Sequence, residues 1–472
     1  MDVFAQGRTY HRAAVLAVSQ LACLGNHTVT GLLSTAGRQH DDWTADYRFF
    51  SQDRWDPHRP FDSVLGGVLG FVSGQAPLVA AMDDTLLRKT GVKIPHVAYR
   101  RDPLSPAFHT NFVRGQRFLQ VSAMLPSSPQ GPSAARAIPI RFEPAPPLPK
   151  ASARDSQPER VERRKLGKYY NLSTIGSDAM AATRDQLDRQ PNGRSRVLVM
   201  GVDGSYTNQT VLRRLPDRTT LIGRIRKDAH LFHTPQEAQQ PDKGRKRSYG
   251  QPLPTPEDIR KDDAIGWQEV RAFAAGKMHT FRVKTVGPVL WPKAGPNMPL
   301  RLVVIAPVSY RLRAGCKLLY RQPAYLICTD PNLPLADVVQ DYLWRWGIEV
   351  DHRDEKQLIG VGQAQVRAPD SARRQPIFAV ACYAKLLLAA AQLYGPAATQ
   401  ANLPLPKWRR NRPDCRLTTG DLIRQIRQDL WGDAIRTMER NSSHFAHQPQ
   451  SATKCPKWHW PLSAAIDHAA SG

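Results

Sequence analysis

Two short apolar runs that each end on acidic residues constrain this chain more than any other feature. Leu78–Met82 leads straight into Asp83 and Asp84, and Arg196–Val202 ends on Asp203. Such short runs of apolar and β-branched residues read as strands of a buried sheet. A carboxylate at the C-terminal end of a strand stands where the backbone leaves the sheet and a side chain meets solvent. One aspartate in that position is ordinarily a turn or cap residue. Two of them, followed by a third acidic position on a strong helix, make a different case.

That helix is expected over Leu335–Gly360, where Tyr342, Arg345, Glu349 and Lys356 follow the spacing Y-x2-R-x3-E-x6-K. At 100° per residue the last three fall at roughly −60°, −20° and −40° from Tyr342, so all four share one narrow stripe. Val339, Leu343, Trp346, Val350 and Leu358 form a second stripe beside it, expected to face the core. The helix is thus anchored along one edge and presents a carboxylate flanked by two cations and a phenol along the other. Three acidic residues (Asp84, Asp203 and Glu349) converging on one spot make a hard, oxygen-rich site suited to magnesium or manganese.

The rest of the chain supplies a frame. Three short helices are expected near the N-terminus, at Tyr10–Leu24, Thr28–Ala36 and Asp41–Gln52, with basic and aromatic residues interleaved as in a DNA-reading helical domain or, equally, a packing appendage. Strands follow at Phe118–Leu125, Ala137–Phe142 and Thr219–Ile225, and helices at Ser173–Arg189 and Thr207–Leu215. The stretch Pro144–Arg164, rich in Pro, Ser, Ala and charge, reads as an exposed connection. Residues 228–316 change character towards Pro, Gly and basic residues with recurrent strand segments (Phe281–Val286, Leu300–Ala306), and read as a β-rich insertion. Leu318–Cys328 resumes as a strand, and a last helix is expected at Thr419–Leu430. The expected domains are 1–75 (helical), 76–227 and 317–398 (an α/β core in two parts), 228–316 (the insertion) and 399–472 (basic).

Charge narrows the partner. Lys and Arg number 66 against 41 Asp and Glu, a formal net charge of +25. The excess recurs at Arg100–Arg101, Arg160–Lys168, Arg213–Lys227, Lys243–Arg247 and Lys407–Arg412, the field a polyanion seeks. Six cysteines without a CxxC pair argue against a zinc ribbon or a disulfide framework and fit a reducing cytoplasm. Ala13–Leu24 is interrupted by Ser19 and Gln20, unlike a signal peptide. Ile377–Tyr394 is nearly long enough to span a bilayer, but it carries Lys385 and Gln392 and sits between Pro376 and Gly395 as helix boundary signals, so a buried core helix is expected and no membrane partner.

Taken in order, strand-end Asp, strand-end Asp, β-rich insertion and Glu helix, the chain resembles the DDE transposases of bacterial insertion sequences. The Tyr342, Arg345, Glu349 and Lys356 signature is similar to that of the cut-and-paste superfamily named for insertion sequence four. Asp83-Asp84-Thr85 resembles that family's first-aspartate motif and Val202-Asp203-Gly204 its second. The likeness spans about residues 75–395. It implies an RNase H-like core, with Asp84, Asp203 and Glu349 as catalytic residues holding two Mg2+ or Mn2+ ions. Asp83 and Asp84 compete for the first position, and the family pattern of a following Thr favours Asp84. The resemblance further implies double-stranded DNA as partner, cleavage and joining through a hairpin intermediate, and a homodimer on DNA. Tyr342, Arg345 and Lys356 are expected to hold phosphates; Trp267 and Trp291 are candidates to stack on a flipped base, against the alternative that each is a packing residue. The competing expectations are an RNase H-like nuclease that cuts without joining, and an inactive, domesticated descendant that only binds DNA.

Overall fold

A computed structural model describes residues 3–102, 105–106, 108–149, 152, 155–236, 246–311, 313, 315–404 and 415–432. The basic stretch 407–412, residues 243–245 of the run at 243–247, and everything after 432 lie outside the described residues. Four helices come first: α1 (Gly7–Ala22), α2 (Val29–Thr35), α3 (Thr44–Ser51) and α4 (Arg59–Leu69). The strands and helices of the first half are β1 (Leu78–Arg88), β2 (Ala98–Arg101), β3 (Phe112–Pro126), β4 (Ala135–Pro144), α5 (Gln157–Tyr169), α6 (Leu172–Asp188), β5 (Leu198–Val202), α7 (Gln209–Leu212) and β6 (Thr219–Arg224). Then follow β7 (Phe232–His233), α8 (Pro256–Lys261), β8 (Gln268–Ala274), β9 (Lys277–Trp291), β10 (Gly295–Ile305), β11 (Ser309–Tyr310), β12 (Leu319–Tyr320) and β13 (Ala324–Cys328). The chain continues with α9 (Leu335–Trp344), α10 (Trp346–Gln357), α11 (Pro369–Tyr394) and α12 (Thr419–Arg427).

One large mixed sheet organises residues up to 416. Its strand order is β2-β3-β1-β5-β6-β13-β10-β9-β7, with β4 also on β3 and β8 also on β9. β1 runs antiparallel to β3 and β3 to β4, while β5 and β6 run parallel to β1 and to each other. This mixed α/β arrangement is compatible with an RNase H-like core. The segment 228–316 is β-rich as expected, but its strands extend the core sheet: β13 pairs β6 on one side and β10 on the other. One apolar cluster runs from Val79, Ala81 and Val199 through Ile222, Leu326 and Val303 to Val338, Val339 and Ile348, fastening α9 and α10 to a single face.

Several expectations are corrected. A fourth N-terminal helix, α4, joins the three expected, and its apolar positions Phe61, Val64, Leu65, Val68 and Leu69 are all buried. The N-terminal helices share their core with α11: the Phe378 ring lies 5.4 Å from Phe49 and 6.0 Å from Trp55. Part of the expected connection 144–164 is helical, because Ser156 and Glu159 form a capping box that opens α5. Pro376 lies inside α11, which begins at Pro369, whereas Gly395 ends it with φ 83° as expected. By length and composition α11 could cross a membrane, but 72% of its apolar window is buried. The segment 318–328 divides into β12 and β13, and the helix at 207–215 shrinks to α7. The described residues from Leu417 to 432 belong to a second unit, in which α12 opens with the capping box Thr418–Asp421.

Candidate functional site

β1 and β5 pair in parallel from Leu78–Leu198 to Met82–Val202. Beyond that point they part. β5 ends, with Asp203 just beyond it as expected, while β1 continues against β3 as far as Arg88, so Asp83 and Asp84 mark the end of the parallel pairing and not the end of their strand. Asp83 and Asp203 each follow the last paired residues, in matching register. The turn after β5 is tied to Asp203, whose Oδ1 accepts from the Ser205 amide at 2.8 Å and whose Oδ2 accepts from the Ser205 hydroxyl at 3.1 Å.

Successive strand residues face opposite ways. Val79, Ala81 and Asp83 therefore share one face of β1 with Val199 and Gly201 of β5, and α9 and α10 cover it. A Cβ added at Gly201 would lie 3.5 Å from Arg345 Cβ. The expected single helix is broken at Arg345: its amide bonds Tyr342 O and its own carbonyl receives the Ile348 amide, both three-residue spacings. Arg345 thus heads α10 directly above the sheet. Its guanidinium lies 3.7 Å from an Asp83 oxygen and donates to Glu349 at 3.1 Å, and it stands 5.7 Å from the Tyr342 ring centre. Asp83, Arg345 and Glu349 are therefore brought together, with Asp203 beside Asp83.

The break also rephases α10. Trp346, expected in the core stripe, is 59% exposed, and the buried residues are Ile348, Asp351, His352, Asp354 and Glu355. Asp351 accepts from the Ser122 hydroxyl of β3 at 2.9 Å and from the Tyr383 hydroxyl of α11 at 3.2 Å, so a buried carboxyl clamps the helix that carries Glu349. Burial holds Asp351 well above the usual carboxylate range, with Glu355 adding to it.

Asp84 faces the other way, as Met82 does. Its oxygens accept from the Tyr206 hydroxyl at 2.9 Å and pair with Arg117 at 3.2 Å. Burial raises its pKa, Arg117 and Tyr206 oppose that, and Asp203 adds to it, so Asp203 lies within the field of both aspartates. Lys356 is set apart from the Arg345–Glu349 pair. It lines a separate cleft with Arg88 and Asp102, in the field of Asp84. Neither tryptophan presents an unoccupied ring: Trp267 lies within 5.1 Å of Arg282 and 4.6 Å of Lys284, and Trp291 is buried beneath Lys293. Sequence reasoning missed Arg117, Tyr206 and Asp351. Arg117 follows the alternation of β3 onto the Asp84 side, a signal that needs the strand register to be used.

Comparison with known proteins bears on what such a site is for. The family described as DDE superfamily endonuclease matches residues 3–293. The chain belongs to this family. No curated protein matches it. The match takes in Asp83, Asp84 and Asp203 and stops before α9, so Glu349 rests on the geometry above and on the helix signature. The family is one of transposase-type nucleases, which act on DNA and generally use divalent metals.

The charges of this site suit a divalent cation. Burial and the neighbouring Asp203 charge push Asp83 up to about 7, so the two carboxylates repel across the gap where β5 leaves the sheet. A hard cation is the group that relieves such repulsion, and every donor present is an oxygen. Among the described residues, however, no three His, Cys, Asp or Glu side chains are gathered as a metal cage. The expected convergence of three carboxylates is not preformed, because Arg345 bridges Asp83 and Glu349.

Proposed function

We propose that this chain is a DNA transposase of the cut-and-paste type, which cleaves DNA at the ends of a mobile element and joins them to a target through a hairpin. What carries the reading is the placement of Asp83 and Asp203 in matching register where two parallel strands part, beneath the helix that presents Glu349. Asp83, Asp203 and Glu349 would hold the Mg2+ or Mn2+ ions. Bound there, a metal pair supplies activation of the attacking oxygen and stabilisation of the leaving one. Arg345, pre-set on α10, has the fork geometry to grip a phosphate once Asp83 and Glu349 are otherwise engaged. Tyr342 supports it from the same edge. The motif points to Asp84 for the first ligand and the strand face to Asp83.

A second reading has one observation in its favour. Arg345 already neutralises Asp83 and Glu349, as it would in a domesticated descendant that binds DNA and no longer cuts it.

One assay decides between the two: purified protein, Mg2+ or Mn2+, and labelled duplex carrying the sequences that flank its gene. Nicks, hairpins and joined products are expected. Nicks without joined products identify a nuclease that does not transfer strands. Binding with no metal-dependent product contradicts catalysis altogether.

A further inference from the structure

A cleft of about 1200 Å³ opens immediately beyond Asp203. Its rim includes Gly204, the residue after that aspartate, and Arg224 at the end of β6. Arg224 also acts on Tyr342 electrostatically, which ties the cleft to the carboxylate site. The other walls come from the segment after β6, from α8, from the β9–β10 turn and from the residues between β12 and β13.

The charge of these walls is one-sided. Arg226 is paired with Asp228, and Arg260 with Glu257. Arg224, Lys227, Lys293 and Arg321 make no ion pair among the described residues, although all four line the cleft. The charged ends of Lys293 and Arg321 instead lie over the faces of Trp291 and Tyr310, 5.0 and 5.4 Å from the ring centres, which positions them without neutralising them. Tyr320, 64% exposed in the same wall, adds an aromatic surface. A concave surface with several uncompensated cations and an exposed ring is the composition that tracks a nucleic-acid backbone.

We infer that this cleft is the track for the phosphodiester chain leading away from the scissile phosphate, with Arg224, Lys227, Lys293 and Arg321 as its phosphate contacts. The inference rests on the DNA-cleaving reading for the position of the scissile phosphate, but its test does not need cleavage. The chain it holds is either one strand of an intact duplex or a strand splayed from it, and the two are distinguishable.

The test is equilibrium binding of a flank-sequence duplex and of the matching single strand, each over a series of KCl concentrations. Wild type is compared with the triple variant Lys227→Gln, Lys293→Gln and Arg321→Gln. A control variant removes three cations from α5, which does not line the cleft (Arg160→Gln, Arg164→Gln, Lys165→Gln). Removing a cation that holds one phosphate lowers the slope of log affinity against log salt by about 0.9 for duplex and about 0.7 for single strand. For the cleft variant, the slope is expected to drop by about 2 to 3 and affinity near physiological salt at least tenfold, on one of the two probes. The probe affected identifies the strand state. Lys227→Arg with Lys293→Arg is expected to bind as wild type. Wild-type slopes on both probes, or an equal drop in the α5 control, would overturn the inference. If the triple variant fails to fold, the single variants Lys227→Gln and Lys293→Gln are read in the same way. Wild-type protein that binds through the cleft but never cuts would instead refute the catalytic reading and leave the track standing.

Discussion

Asp83 and Asp84 are chemically identical neighbours, and only the direction of each side chain separates them. Asp83 shares a face with Asp203 and the Arg345–Glu349 pair, whereas Asp84 is engaged by Tyr206 and Arg117. Asp83→Asn is expected to reduce metal-dependent cleavage at least a hundredfold, and Asp84→Asn less than tenfold, with product yield on the same duplex as the measure. The reverse order would move the ligand to Asp84, as the motif alone favours. Sequence can locate the pair but not choose between them, because the choice depends on the register of β1 against β5. Tyr206 is hidden for a similar reason. It reaches Asp84 only because Gly176 on α6 leaves room: a Cβ there would lie 2.7 Å from the Tyr206 ring.

At the scale of elements, α9 and α10 show how far periodicity carries. The helical pattern over 335–360 is legible in the sequence, and it places Glu349 and Arg345 on one edge, as found. The break at Arg345 is not legible, since no Pro or Gly stands at that residue. With the phase lost, Trp346 turns outward and Asp351 and Glu355 turn inward, where Ser122 and Tyr383 hydrogen-bond Asp351 and Gln120 bonds Glu355, whose Oε1 is left buried without a partner among the described residues. Hydrophobic patterning cannot anticipate buried carboxyls. Gly347, just inside α10, permits the close approach to β4: a Cβ there would lie 3.0 Å from Ala137 Cβ. Gly347→Val is therefore expected to push α10 off the sheet, lowering stability by about 1–3 kcal/mol in urea unfolding. Cleavage should fall with it. An unchanged unfolding midpoint would show that the contact is not tight.

Across the whole molecule, the alternation of strands and helices is readable where the central strands β1, β5, β10 and β13 carry short uninterrupted apolar runs. The joining of the 228–316 segment to the core sheet is not, since pairing between β6, β13 and β10 is a long-range choice. The same buried architecture makes stability depend on pH. Asp341 on α9 and Glu355 on α10 are both pushed up to about 8 by burial, Asp341 further by Asp337. Both carboxyls hold their protons more tightly folded than unfolded, so the stability they contribute is full below about pH 4 and is lost as pH rises through about 8. Thermal midpoints are expected to fall between about pH 4 and about pH 8, and Asp341→Asn should flatten that fall. A midpoint that rises over this range would contradict the burial argument.

Whether the carboxylates under α10 make this chain a metal-dependent DNA-cutting enzyme is tested most directly by one comparison. Wild type and Glu349→Gln are run side by side on flank-sequence duplex with Mg2+ or Mn2+, with binding measured in parallel. Cleavage by wild type alone, with equal DNA binding by both, is the predicted result. Equal cleavage by Glu349→Gln would contradict the site, and its absence from both would contradict the activity.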